Sequence, residues 1–279
     1  MQLQLQHLSA RHPAAKADSV PAIRGTSIQI ASGEQVAVIG PSGAGKTTFL
    51  HAVACALKPS AGQLLLAGQD PWKISSAALQ KLRGELFLAP QVPPLPPRQR
   101  VVTAVLAGRL PQMGLLQSLR SLFYPSDIPA AHIALKSFDL DEKIFERVDR
   151  LSGGERQRVG LARLLASAAK LWLIDEPLSA LDPTRSNQAL TLLTQTARER
   201  GATLVCTLHQ VERALEAFPR IIGLRDGEVA FDLPSHEVSR ERLTALYAQH
   251  EHELFGPAPV NEFPEQNVQP AAPAVMHCR

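Results

Sequence analysis

The run Gly40-Pro41-Ser42-Gly43-Ala44-Gly45-Lys46-Thr47 carries the residue types that hold a polyphosphate. Its spacing, G-x-x-x-x-G-K-[ST], puts glycines where a backbone must wrap closely around phosphate oxygens and turn its N–H groups toward them. Lys46 adds a mobile positive charge, Thr47 offers a hydroxyl oxygen suited to Mg²⁺, and Thr48 extends the same candidate set. A second cluster is Asp175-Glu176, directly after the apolar Leu171-Trp172-Leu173-Ile174. Asp175 there can orient Mg²⁺ through its water shell, and Glu176 can accept a hydrogen bond from a water attacking a terminal phosphate. The third is Ser152-Gly153-Gly154-Glu155, whose serine and glutamate have the spacing of a capping box. It leaves N–H groups beside two small residues at a positive helix end, a second anion site with no phosphate of its own.

These residues work only if the elements around them place them. The apolar, β-branched run 35–39 ends at Gly40 and reads as a buried strand entering a glycine turn. Residues 46–57 then show apolar positions at helical spacing until Pro59, so the cradle sits at a strand-to-helix joint. Runs 171–174 and 203–208, separated by the helical pattern around Leu190, Leu193 and Ala197, give the strand-helix-strand grammar of a parallel α/β sheet. In such a sheet Asp175 and Glu176 lie at the ligand-binding carboxyl edge. Residues 62–68 predict a strand of a small antiparallel layer. The pair 221–224 and 228–231 around Asp226-Gly227 predicts a hairpin. Proline density excludes regular structure between 90 and 97.

The 279 residues, 45% hydrophobic and 20% charged, exclude collagen-like, mucin-like and wholly disordered chains. A net charge of +3 lacks the dense basic character of a nucleic-acid-binding domain, so no nucleic acid is expected as partner. Locally, residues 87–126 carry Arg98, Arg100, Arg109 and Arg120 and no acidic residue, which predicts a basic surface there. Cys55, Cys206 and Cys278 form no C-x-x-C pair, which points to a reducing compartment without disulfides. No stretch approaches the ~20 apolar residues that span a bilayer, and the first sixteen residues lack a secretory apolar core. The sequence shows no internal repeat, and five prolines from Pro257 to Pro273 mark residues 255–279 as a disordered tail.

In the order cradle, Leu151-Ser152-Gly153-Gly154-Glu155-Arg156-Gln157, Asp175-Glu176, the chain resembles the ATP-binding-cassette ATPases over residues 3–233. The resemblance implies an α/β fold: a P-loop NTPase (RecA-like) core with an N-terminal antiparallel β layer and an inserted α-helical subdomain at about 92–165, all within residues 1–254. It implies ATP and Mg²⁺ as the bound species. Gln91 is similar to the glutamine that senses Mg²⁺ and γ-phosphate, and Ser179-Ala180-Leu181-Asp182 to the loop that crosses a dimer interface. His209 is similar to the histidine that contacts γ-phosphate. His12 stands where the family usually stacks adenine on an aromatic, often tyrosine. Ser152, Gly153 and Gly154 would face the γ-phosphate of ATP held by a second subunit, making a head-to-tail dimer, with a homodimer expected.

Within the family, residues 105–110, Ser118-Leu119, Phe123, 208–211 and 221–227 resemble the ATPases of phosphonate importers, whereas residues 88–94 depart from the usual passage around the sensing glutamine. The partners so implied are transmembrane permease subunits and, indirectly, a solute-binding protein. The location implied is the cytoplasmic face of the inner membrane. An importer ATPase for phosphate, an amino acid or a metal is the alternative. A soluble cassette acting on ribosomes or DNA is disfavoured by the single cradle and by the absence of heptads or cysteine clusters between Lys46 and Asp175.

Overall fold

The computed structural model describes residues 1–12, 15, 19–248 and 253. The tail 255–279, Cys278 and Pro13 beside His12 lie outside the described residues.

The chain opens with β1 (Leu3–Ala10) and β2 (Ile23–Ile30), which join β4 (Ala61–Leu66) in an antiparallel sheet of order β2-β1-β4. In β1 the buried positions change phase from Leu3 and Leu5 to Leu8 and Ala10. A register shift between Leu5 and Leu8, with His7 at φ 46°, supplies the extra residue that turns the apolar side chains back to one face.

The second sheet contains β3 (Gln35–Ile39), β5 (Leu86–Ala89), β6 (Leu171–Asp175), β7 (Thr203–Thr207), β8 (Arg220–Arg225) and β9 (Glu228–Pro234), in the order β5-β6-β7-β3-β8-β9. Neighbouring strands are parallel except β9, which returns antiparallel through Asp226 and Gly227. Both turn residues have positive φ, 51° and 80°, the requirement of a tight hairpin turn matching strand twist. Arg220 pins that hairpin by donating to both carboxylate oxygens of Asp232 and to Glu34.

Strands β3, β6 and β7 are buried at every position, as central parallel strands must be when both faces are covered. One face, with Val36, Val38, Leu171, Leu173 and Val205, packs on the antiparallel layer and on α1 (Lys46–Val53). The other face presents Ala37, Ile39, Trp172, Ile174 and Leu204 to the remaining core. That core includes α3 (Val101–Leu106), α5 (Ile128–Lys136), α6 (Gly153–Ala166), α7 (Pro183–Glu199) and α8 (Val211–Ala217). Helices α2 (Ser76–Gly84), α4 (Leu115–Phe123) and α9 (Arg240–Leu246) are the other α-helical elements named among the described residues. Helix α6 packs against both α3 and α5, so the helices between β5 and β6 form a cluster of their own.

Two boundaries differ from the sequence pattern. The helix expected over 46–57 stops at Val53, because Cys55 turns into the left-handed region at φ 56° and Arg83 takes its carbonyl at 2.6 Å. Strand β5 carries no pattern of its own. It is a four-residue edge strand with three half-buried positions, too short for a period to show. Among the described residues no helix is long and apolar enough to cross a membrane.

Candidate functional site

Strand β3 delivers the chain into Gly40, and the loop leaves as α1 with Gly45 as its N-cap at φ 99°. A Cβ on Gly45 would lie 2.3 Å from the Ala22 carbonyl oxygen, so the turn admits only glycine. Ser42, Gly43 and Thr47 are exposed, whereas Ala44 and Thr48 are buried beneath them. Lys46 is folded back along the loop, its Nζ donating to the carbonyls of Gly40 at 2.7 Å and Pro41 at 3.2 Å. Burial pushes its ammonium pKa down, while the carboxylates of Glu176, Glu253 and Asp175 oppose that shift.

Asp175 ends β6 next to the α1 terminus. Its Oδ1 accepts from the Thr207 hydroxyl at 2.6 Å, and the Thr47 side chain stands near enough to act on the carboxylate, which brings the carboxylate strand up to the cradle. Burial pushes the Asp175 pKa up, the two threonine hydroxyls pull it down, and Glu176 beside it adds to the rise. Such a carboxylate gains most from a cation. Glu176 has φ 48°, a left-handed backbone rare for a residue with a Cβ. Its N–H donates to the Thr207 carbonyl and hydroxyl, and its Oε1 lies 2.5 Å from Nε2 of His209, just past β7. Lys46, Thr47, Asp175, Glu176 and His209 are thus drawn into one cluster at the carboxyl edge of the parallel sheet.

Ser152 caps α6: its hydroxyl accepts from the Glu155 N–H at 3.3 Å, and Glu155 accepts from the Ser152 N–H at 2.8 Å. Lys143 also pairs with Glu155. Burial pushes the Glu155 carboxyl up, but Lys143 and the Ser152 donors outweigh it and hold it at about 2. Gly153 and Gly154 form the first turn of α6, and a Cβ on Gly154 would stand 2.7 Å from the Ala180 carbonyl oxygen. Asp182 is the N-cap of α7, accepting from the Arg185 N–H at 3.0 Å. Gln91 is half-buried just beyond β5, and His12 is exposed just beyond β1.

Gln157, the last residue of the run that begins at Leu151, has a role that its position alone does not disclose. Its Nε2 donates to the Glu176 carbonyl at 3.1 Å and to the Ser179 hydroxyl at 3.2 Å, and its Oε1 accepts from the Ala180 N–H at 3.0 Å. It therefore ties helix α6 to the loop after the two carboxylates. Thr207, fully buried, was hidden in an apolar run, and Tyr247 lies far along the chain although its hydroxyl accepts from the Gly40 N–H at 3.2 Å.

A glycine cradle at a strand-to-helix joint, with a carboxylate pair at the same edge of the parallel sheet two strands away, defines a P-loop nucleotide-hydrolase cassette. The chain belongs to the ABC transporter family, whose model matches residues 23–179. It is 67% identical, over the full length of both chains, to the phosphonates import ATP-binding protein PhnC of Polaromonas sp. strain JS666. It is 51% identical to the phosphonates import ATP-binding protein PhnC 1 of Pseudomonas aeruginosa strain PAO1, over 94% of each chain. The fold is similar to the dimeric post-hydrolysis structure of the ATP-binding cassette MJ0796 bound to ADP and Pi, with a TM-score of 0.70. That likeness, at 26% identity, covers 84% of this chain and 98% of the other.

Proposed function

We propose that this chain is the ATP-hydrolysing subunit of an import complex for phosphonate or a related phosphorus oxyanion. The observation that carries the chemistry is the single cluster of Lys46, Thr47, Asp175, Glu176 and His209 at the sheet edge. The likeness to the phosphonates import ATP-binding proteins of Polaromonas and Pseudomonas aeruginosa supports the substrate class.

In this reading the N–H groups of residues 40–48 receive the phosphates of ATP, and Lys46 exchanges its two loop carbonyls for phosphate oxygens. Thr47 and Asp175 form an all-oxygen set beside each other, and burial disfavours the bare aspartate charge; this fits a hard divalent ion. The remaining oxygens around such an ion would come from phosphate and water. Bound there, Mg²⁺ would neutralise developing phosphate charge, with Gln91 reaching the same centre from the end of β5. Glu176 accepts a hydrogen bond from the attacking water, His209 fixes the carboxylate and faces the γ-phosphate, and the bond between β-bridging oxygen and γ-phosphorus breaks to release ADP and phosphate. His12 stacks on adenine.

Ser152, Gly153 and Gly154 of a second copy close over the γ-phosphate, with Asp182 at the interface. ATP favours this closed pair and hydrolysis releases it, so permease subunits bound at the cytoplasmic face of the membrane are driven between two states. A solute-binding protein supplies the cargo. The test is ATPase activity of the complex reconstituted with permease and binding protein. Stimulation by the binding protein loaded with phosphonate is expected, whereas stimulation only by phosphate-loaded or amino-acid-loaded binding protein would reject the substrate.

A further inference from the structure

Glu253, seven positions beyond the end of α9, lays its carboxylate on the cradle. Its Oε2 accepts from the Ser42 N–H at 2.8 Å and from the Ser42 hydroxyl at 3.2 Å. The cradle is also held from the end of α9 by Tyr247, 1% exposed, through the Gly40 N–H. The negative charge of Glu253 is felt by Lys46 and by Tyr247, which places it in the field of the phosphate site rather than on an outer rim. A loop of N–H groups at a helix amino terminus attracts anions, and a carboxylate is the anion that a protein chain itself can supply.

We propose that Glu253 is a built-in competitor for the phosphate cradle, a tethered anion that an incoming nucleotide must displace from Ser42. The proposal rests on the reading that ATP binds at residues 40–48. Glu253 is part of neither the hydrolytic cluster nor helix α6, so its effect falls on nucleotide affinity. Apparent affinity is lowered by the fraction of chains in which the cradle is free of the carboxylate. A single carboxylate yields to a polyphosphate with several negative oxygens, so the contact raises the nucleotide concentration needed for loading without blocking it.

Calorimetric titration of the full chain with ATP, comparing wild type with Glu253→Gln and Glu253→Ala, tests this. Gln keeps the shape and removes the charge, and Ala removes both. Both variants should bind ATP about 2- to 10-fold more tightly, at unchanged stoichiometry. Equal or weaker binding by both variants would overturn the competitor role while leaving the nucleotide reading intact. Failure of every form, wild type included, to bind ATP would overturn the reading of the cradle and the competitor with it.

Discussion

Glu176 occupies a left-handed backbone conformation, φ 48°, of a kind that costs on the order of 1–3 kcal/mol. The surroundings that hold it there are specific: the Thr207 carbonyl and hydroxyl take its N–H, Gln157 donates to its carbonyl, and His209 meets its carboxylate. This is how a strained residue is kept aimed at one point beside the cradle. Replacing the carboxylate with an amide retains the shape and removes the acceptor for the water proton. Glu176→Gln is therefore expected to bind ATP as the wild type does and to hydrolyse it about 10²- to 10⁴-fold more slowly in a single-turnover assay. Lys46 acts earlier. Its ammonium is buried and donates to two loop carbonyls, so it is poised to transfer to phosphate. Lys46→Ala should weaken ATP binding itself, and an unchanged dissociation constant by titration would remove Lys46 from that role.

At the scale of elements, the amino end of α6 is built by local chemistry. The Glu155 carboxyl sits at about 2 in the folded chain against an ordinary value of 4.5. A depressed carboxyl contributes stability that is full above the unfolded value and is lost as pH falls through the folded one. The contribution of this capping box therefore fades between about pH 4.5 and pH 2. Glu155→Gln should lower stability at pH 7 by about 0.5–2 kcal/mol in urea unfolding and should flatten the loss in that acid window. The elements legible in the sequence are those whose cause is equally local. The glycine cradle, the Ser152 and Glu155 box, the Asp226-Gly227 turn and the apolar runs within strands β3, β6 and β7 all state their geometry within a few residues. What was hidden depends on remote partners. Helix α1 ends where Arg83 caps the Cys55 carbonyl, β5 exists through its pairing with β6, and Thr207 becomes a clamp only because β6 and β7 lie side by side. Gln157, Tyr247 and Glu253 likewise gain meaning from groups far away in sequence.

Across the whole molecule, the large sheet carries the cradle and both carboxylates on one edge, while α6 holds Ser152, Gly153 and Gly154 at the start of a helix tied to that edge through Gln157. The helical cluster also carries the acid-free stretch from 87 to 126, where Arg98, Arg100 and Arg120 are exposed and Arg109 pairs with Asp127. Charge reversal of Arg98 and Arg100 is expected to reduce copurification with the permease and spare ATP binding; unchanged assembly would reject a permease contact at these arginines. In the proposed dimer two chains close around ATP, each offering its α6 terminus to the nucleotide in the cradle of the other. Light scattering of Glu176→Gln at saturating ATP measures this most directly. A particle of twice the chain mass, falling back to one chain when ATP is withdrawn, is the predicted result; a single-chain mass with ATP bound would contradict it.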